Sequence, residues 1–167
     1  MKESPPATSV WNSRSFGRMG LLLLFGFVVL SSACRTGQPL PKADFSAPGW
    51  QVRQGQAVWR RAGAAELSGE LLVATRADGS AVVQFAKPPV TLVTAQSTAE
   101  KWAVRFPPDQ EFSGPGAPPT RVIWLHLARF LSGTTPSADW LWEQPDRQTW
   151  RLKHRGTGES VEGYLTP

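Results

Sequence analysis

The side chains here that could do chemistry are few and poorly spaced for it. One cysteine, Cys34, and two histidines, His126 and His154, stand among 167 residues. Neither histidine has a Cys, Asp, Glu or second His at ligand spacing, so a zinc or other transition-metal centre has no donor set. Asp109 and Glu111 form a loose acidic pair in "PPDQEFSGPGAPP" (107–119), where nothing apolar would separate their pKa values for general acid and base work. The "SGPGAPP" stretch lacks the Lys-Ser/Thr of a phosphate-cradling loop, and no GxSxG elbow or haem motif occurs. The expectation is a protein that is not an enzyme and has neither a metal nor a bound cofactor. Cys34 is the exception. A lone cysteine cannot close an intramolecular disulfide, and an unpaired thiol in an oxidising compartment needs another use.

Its surroundings suggest one. Met19 to Leu30 is a 12-residue apolar run, followed by Ser31-Ser32-Ala33 and then Cys34, with Lys2, Arg14 and Arg18 upstream. A charged flank, a short apolar core and small residues are the parts of a secretory signal. The run is shorter than the roughly 17–25 residues of a permanent membrane-spanning helix. "LSSAC" resembles the lipobox of bacterial lipoprotein signal peptides, with Leu30 one place farther from the cysteine than the family's favoured leucine. The resemblance implies cleavage of residues 1–33 and lipidation of Cys34 with a diacylglycerol and an N-acyl chain. An uncleaved anchor helix or a buried free thiol is the alternative. Arg35 follows the cysteine where an Asp tends to mark inner-membrane retention in proteobacterial relatives. The expected location is therefore the cell envelope, on the periplasmic face of the outer membrane.

Residues 34–48 then read as the lipidated cysteine and a flexible tether, and 49–167 as one domain. Fifteen Gly and fifteen Pro disfavour a helical bundle and suit short strands joined by turns. From Arg35 onward 15 basic residues face 12 acidic ones, a mild bias without the basic run that nucleic acid requires. Trp50 and Val52 before Gln54-Gly55, with Val58 and Trp59 after, predict a hairpin around the glycine, with a short helix as the rival. Leu71, Val73 and Thr75, then Asp78-Gly79, then Ala81, Val83 and Phe85 predict a second hairpin with a type I′ turn. Pro88-Pro89 breaks the pairing before a β-branched strand from Val90 to Gln96. Trp102, Val104 and Phe106 alternate strictly, and no regular element fits 107–119.

One helix stands out over Thr120 to Ser132, capped by Thr120 and ended by Gly133. Ile123, Trp124, Leu127, Ala128, Phe130 and Leu131 gather on one face, and Arg121, His126 and Arg129 fall opposite, where His126 should be solvated. Trp140 and Trp142, then Trp150, Leu152 and His154, then "ESVEGYL" complete the strand signals. The fold class is mainly β (α+β): one curved antiparallel sheet or unclosed half-barrel of six to eight strands, with the amphipathic helix on its concave face.

Seven of the eight tryptophans follow Cys34. They read either as ordinary core aromatics or as the lining of a cavity between sheet and helix. The order of elements, with an amphipathic helix after the "RFP" strand and a Trp-bearing terminal hairpin, resembles the LolA/LolB-like lipoprotein carriers. The resemblance covers roughly Trp50 to Leu165. It implies an unclosed barrel around an apolar cavity that accepts the acyl chains of lipoproteins. The lining would be Trp102, Val104, Phe106, Ile123, Trp124, Leu127, Phe130 and Leu131. The expected partners are the membrane, through the anchor, and a lipoprotein or acyl-chain cargo, with the chain a monomer. The alternative is a packed, non-catalytic interaction module that docks an envelope partner.

Overall fold

The computed structural model describes residues 40–166; the expectations placed on Cys34, the leader and the first part of the tether lie outside the described residues. Nine strands form one antiparallel sheet: β1 (Gln51–Arg60), β2 (Leu67–Thr75), β3 (Ala81–Lys87), β4 (Val90–Ser97), β5 (Lys101–Phe106), β6 (Gln110–Pro115), β7 (Trp140–Glu143), β8 (Thr149–His154) and β9 (Ser160–Thr166). Their spatial order is β6-β5-β4-β3-β2-β1-β9-β8-β7, so β6 and β7 are the edges and the sheet stays unclosed. The single described helix, α1 (Ile123–Leu131), packs against β2, β3, β4 and β5 on one arm and β8 on the other. Phe130 of α1 also meets Trp140 and Trp142 of β7, at ring separations of 5.8 and 6.0 Å. One short helix can touch strands near both edges only if the sheet curves around it.

Period-2 alternation decides the inner face. Leu71, Val73, Ala81, Val83, Phe85, Val93, Val104, Trp150, Leu152 and Val161 point inward and are at most 6% exposed. The opposite face carries a charge ladder in which Glu162 pairs with both Arg60 (2.6 Å) and Arg151 (2.7 Å). Curvature has a local cause in the central strands. Gly163 of β9 lies opposite Ala57 of β1. A Cβ at Gly163 would collide with the Gln56 carbonyl and come within 2.9 Å of Ala57 Cα. Only a residue without a side chain lets the strands approach so closely and coil.

Several expectations are corrected. Nine strands replace six to eight. β1 runs unbroken through Gln54-Gly55 and pairs along its length with β2, so there is no hairpin at the glycine. Gly55 instead abuts β9, where a Cβ would strike the Tyr164 carbonyl. The β2–β3 hairpin stands where expected, but Asp78 has no positive φ and only Gly79 does (84°). Gly79 N–H donates to Arg76 O and Arg76 N–H to Ser80 O, a three-residue connection with a left-handed glycine. Pro88-Pro89 does not break pairing: it is the tight link of the β3–β4 hairpin, with Lys87 opposite Val90. Residues 110–115, read as irregular, are β6, held by β5 from Phe106↔Gln110 to Lys101↔Pro115.

The helix is nine residues, and Thr120 does not cap it. Its N-cap is Val122, extended and without a side-chain cap bond, because residues 119–122 make a turn closed by Val122 N–H to Pro119 O. Its C-terminus matches the expectation: Gly133 has φ 89°, Gly133 N–H donates to Phe130 O, and Thr134 N–H to Arg129 O. Those two bonds are a Schellman motif. Finally, the tether expected to be flexible is docked from Leu40 on. Leu40 is 5% exposed, its carbonyl accepts from Arg105 Nη2 (3.3 Å), and the Pro41 carbonyl accepts from Gln96 Nε2 (3.0 Å). These residues lie on the outer face, where the cross-strand row Ala74, Val82, Gln96, Ala103 offers a small apolar seat.

Candidate functional site

The inner face begins from aromatic packing on α1. Trp124 is 1% exposed, stacked on Phe85 (5.1 Å) and edge-on to Trp59 (5.2 Å). Ile123, Leu127 and Phe130 are at most 4% exposed, and Val104 faces them from β5 at 1%. Trp102, Phe106 and Leu131 are half-buried against the same cluster. All eight residues expected to line a cavity are thus brought together, five inside one core and three at its margin. Trp102 lies under Gly114 of β6, and Phe106 faces Phe112 at 6.5 Å beside a shallow hollow of about 180 Å³. Burying side chains of this size stabilises by roughly 1.5–3 kcal/mol each, which is what holds a helix of under three turns in place.

The packing leaves two polar atoms stranded. The indole N–H groups of Trp124 and Trp150 are buried with no hydrogen-bond partner among the described residues. Each unmade bond costs about 1–3 kcal/mol. By contrast Trp59 Nε1 donates to Glu159 Oε1 at 2.6 Å, and the Arg61 guanidinium lies 4.2 Å above the Trp59 ring. Burial raises the Glu159 carboxyl above its ordinary value of 4.5, against the lowering by the Trp59 bond and the Arg61 charge.

His126 is not solvated. It is 6% exposed, lies 5.0 Å from the Trp140 ring and 6.0 Å from Phe130, and its Nε2–H donates to Pro119 O at 3.1 Å. The helix is wrapped on both sides, so its nominally polar face is covered by β7 and by its own approach turn. Burial lowers the His126 imidazole below 6.5, with the Arg129 and His154 charges acting the same way. His154 is buried beside Trp140 at 4.7 Å, and its Nδ1 accepts from Thr157 N–H at 3.1 Å. Among the described residues neither histidine hydrogen-bonds or ion-pairs with a carboxylate, and no group of three His, Cys, Asp or Glu could hold a metal ion. Asp109 lies in the β5–β6 turn and Glu111 in β6, where it pairs with Arg105 at 2.9 Å.

A cleft reaches the seam between α1 and the sheet. It has a volume of about 400 Å³ and lies at the C-terminal end of α1. Thr75, Ala81 and Ser97 are consecutive in one inward cross-strand row and form its floor, facing Ala128 and Ser132 of the helix end. Small side chains on both sides keep the seam open there. Two wider hollows, of about 470 and 560 Å³, lie across β1, β2 and β9, lined by the outward Gln56, Glu70 and Tyr164. No helix among the described residues is long and apolar enough to cross a membrane.

No protein-family model matches the chain, and no curated protein matches it.

Proposed function

We propose that this chain is a cell-envelope lipoprotein, acylated at Cys34 and tethered at the periplasmic face of the outer membrane, whose half-barrel takes up an acyl chain or other apolar ligand beneath α1. The lipobox-like "LSSAC" supports the anchor, and the LolA/LolB-like order of elements supports the carrier domain. The observation that carries the reading is the seam. The inner face of an unclosed sheet is covered by one nine-residue helix, which ends at a cleft of about 400 Å³. The conformation described is the closed one, in which Trp124 and Phe130 occupy the place of the ligand. The stranded indole N–H groups lower the cost of leaving it.

The second reading, a packed interaction module, is favoured by Ile123, Trp124, Leu127 and Phe130 being already at most 4% exposed. Native mass spectrometry on the full chain, extracted gently from membranes, separates the two. A co-purified acyl-bearing molecule, lost when Phe130→Asp makes the trough polar, supports the carrier. A chain that stays ligand-free even with added palmitate supports the module. Labelled palmitate failing to attach to the wild type, or attaching equally to Cys34→Ser, would refute the anchor.

A further inference from the structure

The cleft at the end of α1 is not lined like the trough it opens from. Its walls include Thr75, Ser97, Arg129 and Thr134, and no carboxylate lines it. Ser97 is only 7% exposed and lines the floor of the cleft. Arg129 is exposed at the rim and makes no ion pair among the described residues. The negative end of the helix dipole does not dominate here, because the last carbonyls are already used. Ala128 O accepts from Ser132 N–H (3.0 Å) and Oγ (2.9 Å), Arg129 O from Thr134 N–H, and Phe130 O from Gly133 N–H. What remains at the mouth is two guanidinium groups, Arg76 held 3.6 Å from Asp78 and Arg129 with no ion pair among the described residues, above the Ser97 hydroxyl and a depression where the apolar seam begins.

We propose that this cleft holds the anionic head group of an amphiphile, carboxylate or phosphate, with Arg129 and the Ser97 hydroxyl as its contacts and the chain running along the seam. The inference rests on the carrier reading and names the class of ligand that reading leaves open. A guanidinium–oxyanion pair is the strong kind of hydrogen bond, and the hydroxyl supplies a second donor from the floor.

The test uses the full chain in detergent, with palmitate, palmityl alcohol and inorganic phosphate as probes, each followed by native mass spectrometry. Wild type should bind palmitate about tenfold more tightly than the alcohol, the difference expected of one charge-assisted contact. Arg129→Gln should bring that ratio close to one while leaving alcohol binding unchanged, and Ser97→Ala should reduce it in part. Both sites tolerate the change, since Arg129 is exposed and Ser97→Ala only removes a hydroxyl. Equal affinity of wild type for acid and alcohol would overturn the head-group site while leaving the carrier standing. Phosphate alone binding as tightly as palmitate would overturn the amphiphile in favour of a free anion. Binding of neither chain would overturn the carrier itself.

Discussion

Replacing Gly163 by alanine adds a single methyl group where two central strands meet most closely. The new Cβ would collide with the Gln56 carbonyl and lie 2.9 Å from Ala57 Cα and 3.1 Å from Ala57 Cβ. Two of these neighbours are backbone atoms and cannot swing aside, so β1 and β9 must part locally. Overpacking of this kind costs about 1–3 kcal/mol. A weakened ladder hydrogen bond adds about 1 kcal/mol. Reduced freedom of the unfolded chain returns about 0.4–1 kcal/mol. The net expectation is a loss of about 2–3 kcal/mol, which at about 4 °C per kcal/mol for a domain of this size lowers Tm by about 10 °C. Urea unfolding of the full chain, followed by tryptophan fluorescence, measures it, since Trp150 sits opposite Gly163. Gly79→Ala is the comparison: φ is 84° there and nothing lies within 4 Å, so only backbone strain of about 1–2 kcal/mol applies. A Gly163→Ala variant no less stable than Gly79→Ala, or within about 0.5 kcal/mol of wild type, refutes the steric account of the curvature.

Three further outcomes follow from named groups. Burial raises the Glu159 carboxyl above 4.5, so the folded state holds its proton more tightly than the unfolded chain. Stability should therefore fall as pH rises from 4.5 through the raised folded value, and Glu159→Gln, which keeps an oxygen for Trp59, should melt higher than wild type at about pH 7 but not near pH 3. His126 has the opposite sign: its folded value lies below 6.5, so stability is lost as pH falls below 6.5 and through that lowered value. His126→Asn should flatten this acid limb in melts while costing about 1–2 kcal/mol near pH 8 through lost aromatic contact. Leu40→Asp should free the 40–49 segment without melting the sheet, seen as rapid proteolysis there with core stability changed by no more than about 1 kcal/mol.

Where alternation was clean, as in 71–85 and 150–154, the residues dictated both strand and facing, because one face had to be apolar. β6 was illegible for a physical reason. Its Ser113, Gly114 and Pro115 are turn formers, and only the neighbouring β5 makes them a strand. Gly55 read as a turn because a glycine's role in close strand approach looks the same in sequence as its role in a bend. The eight lining residues were legible as one apolar group, since spacing places them together. The closed packing was not, because it depends on how far the sheet curls. His126 was misjudged for the same reason: a helical wheel assumes one wet side, and this helix is wrapped so far that His126 is covered and only Arg129 is exposed. The docked 40–49 segment did leave a trace, since Ala74, Val82 and Ala103 are small apolar residues at outward positions, and such a row needs a cover.

That cover shortens the leash. Between Cys34 and Leu40, the first described residue, six residues can span at most about 20 Å at full extension. An acylated Cys34 would therefore keep the body against the lipid surface instead of letting it roam the periplasm. Because residues 40 and 41 sit on the outer face, the chain enters the domain on the side of the sheet opposite the one that α1 covers.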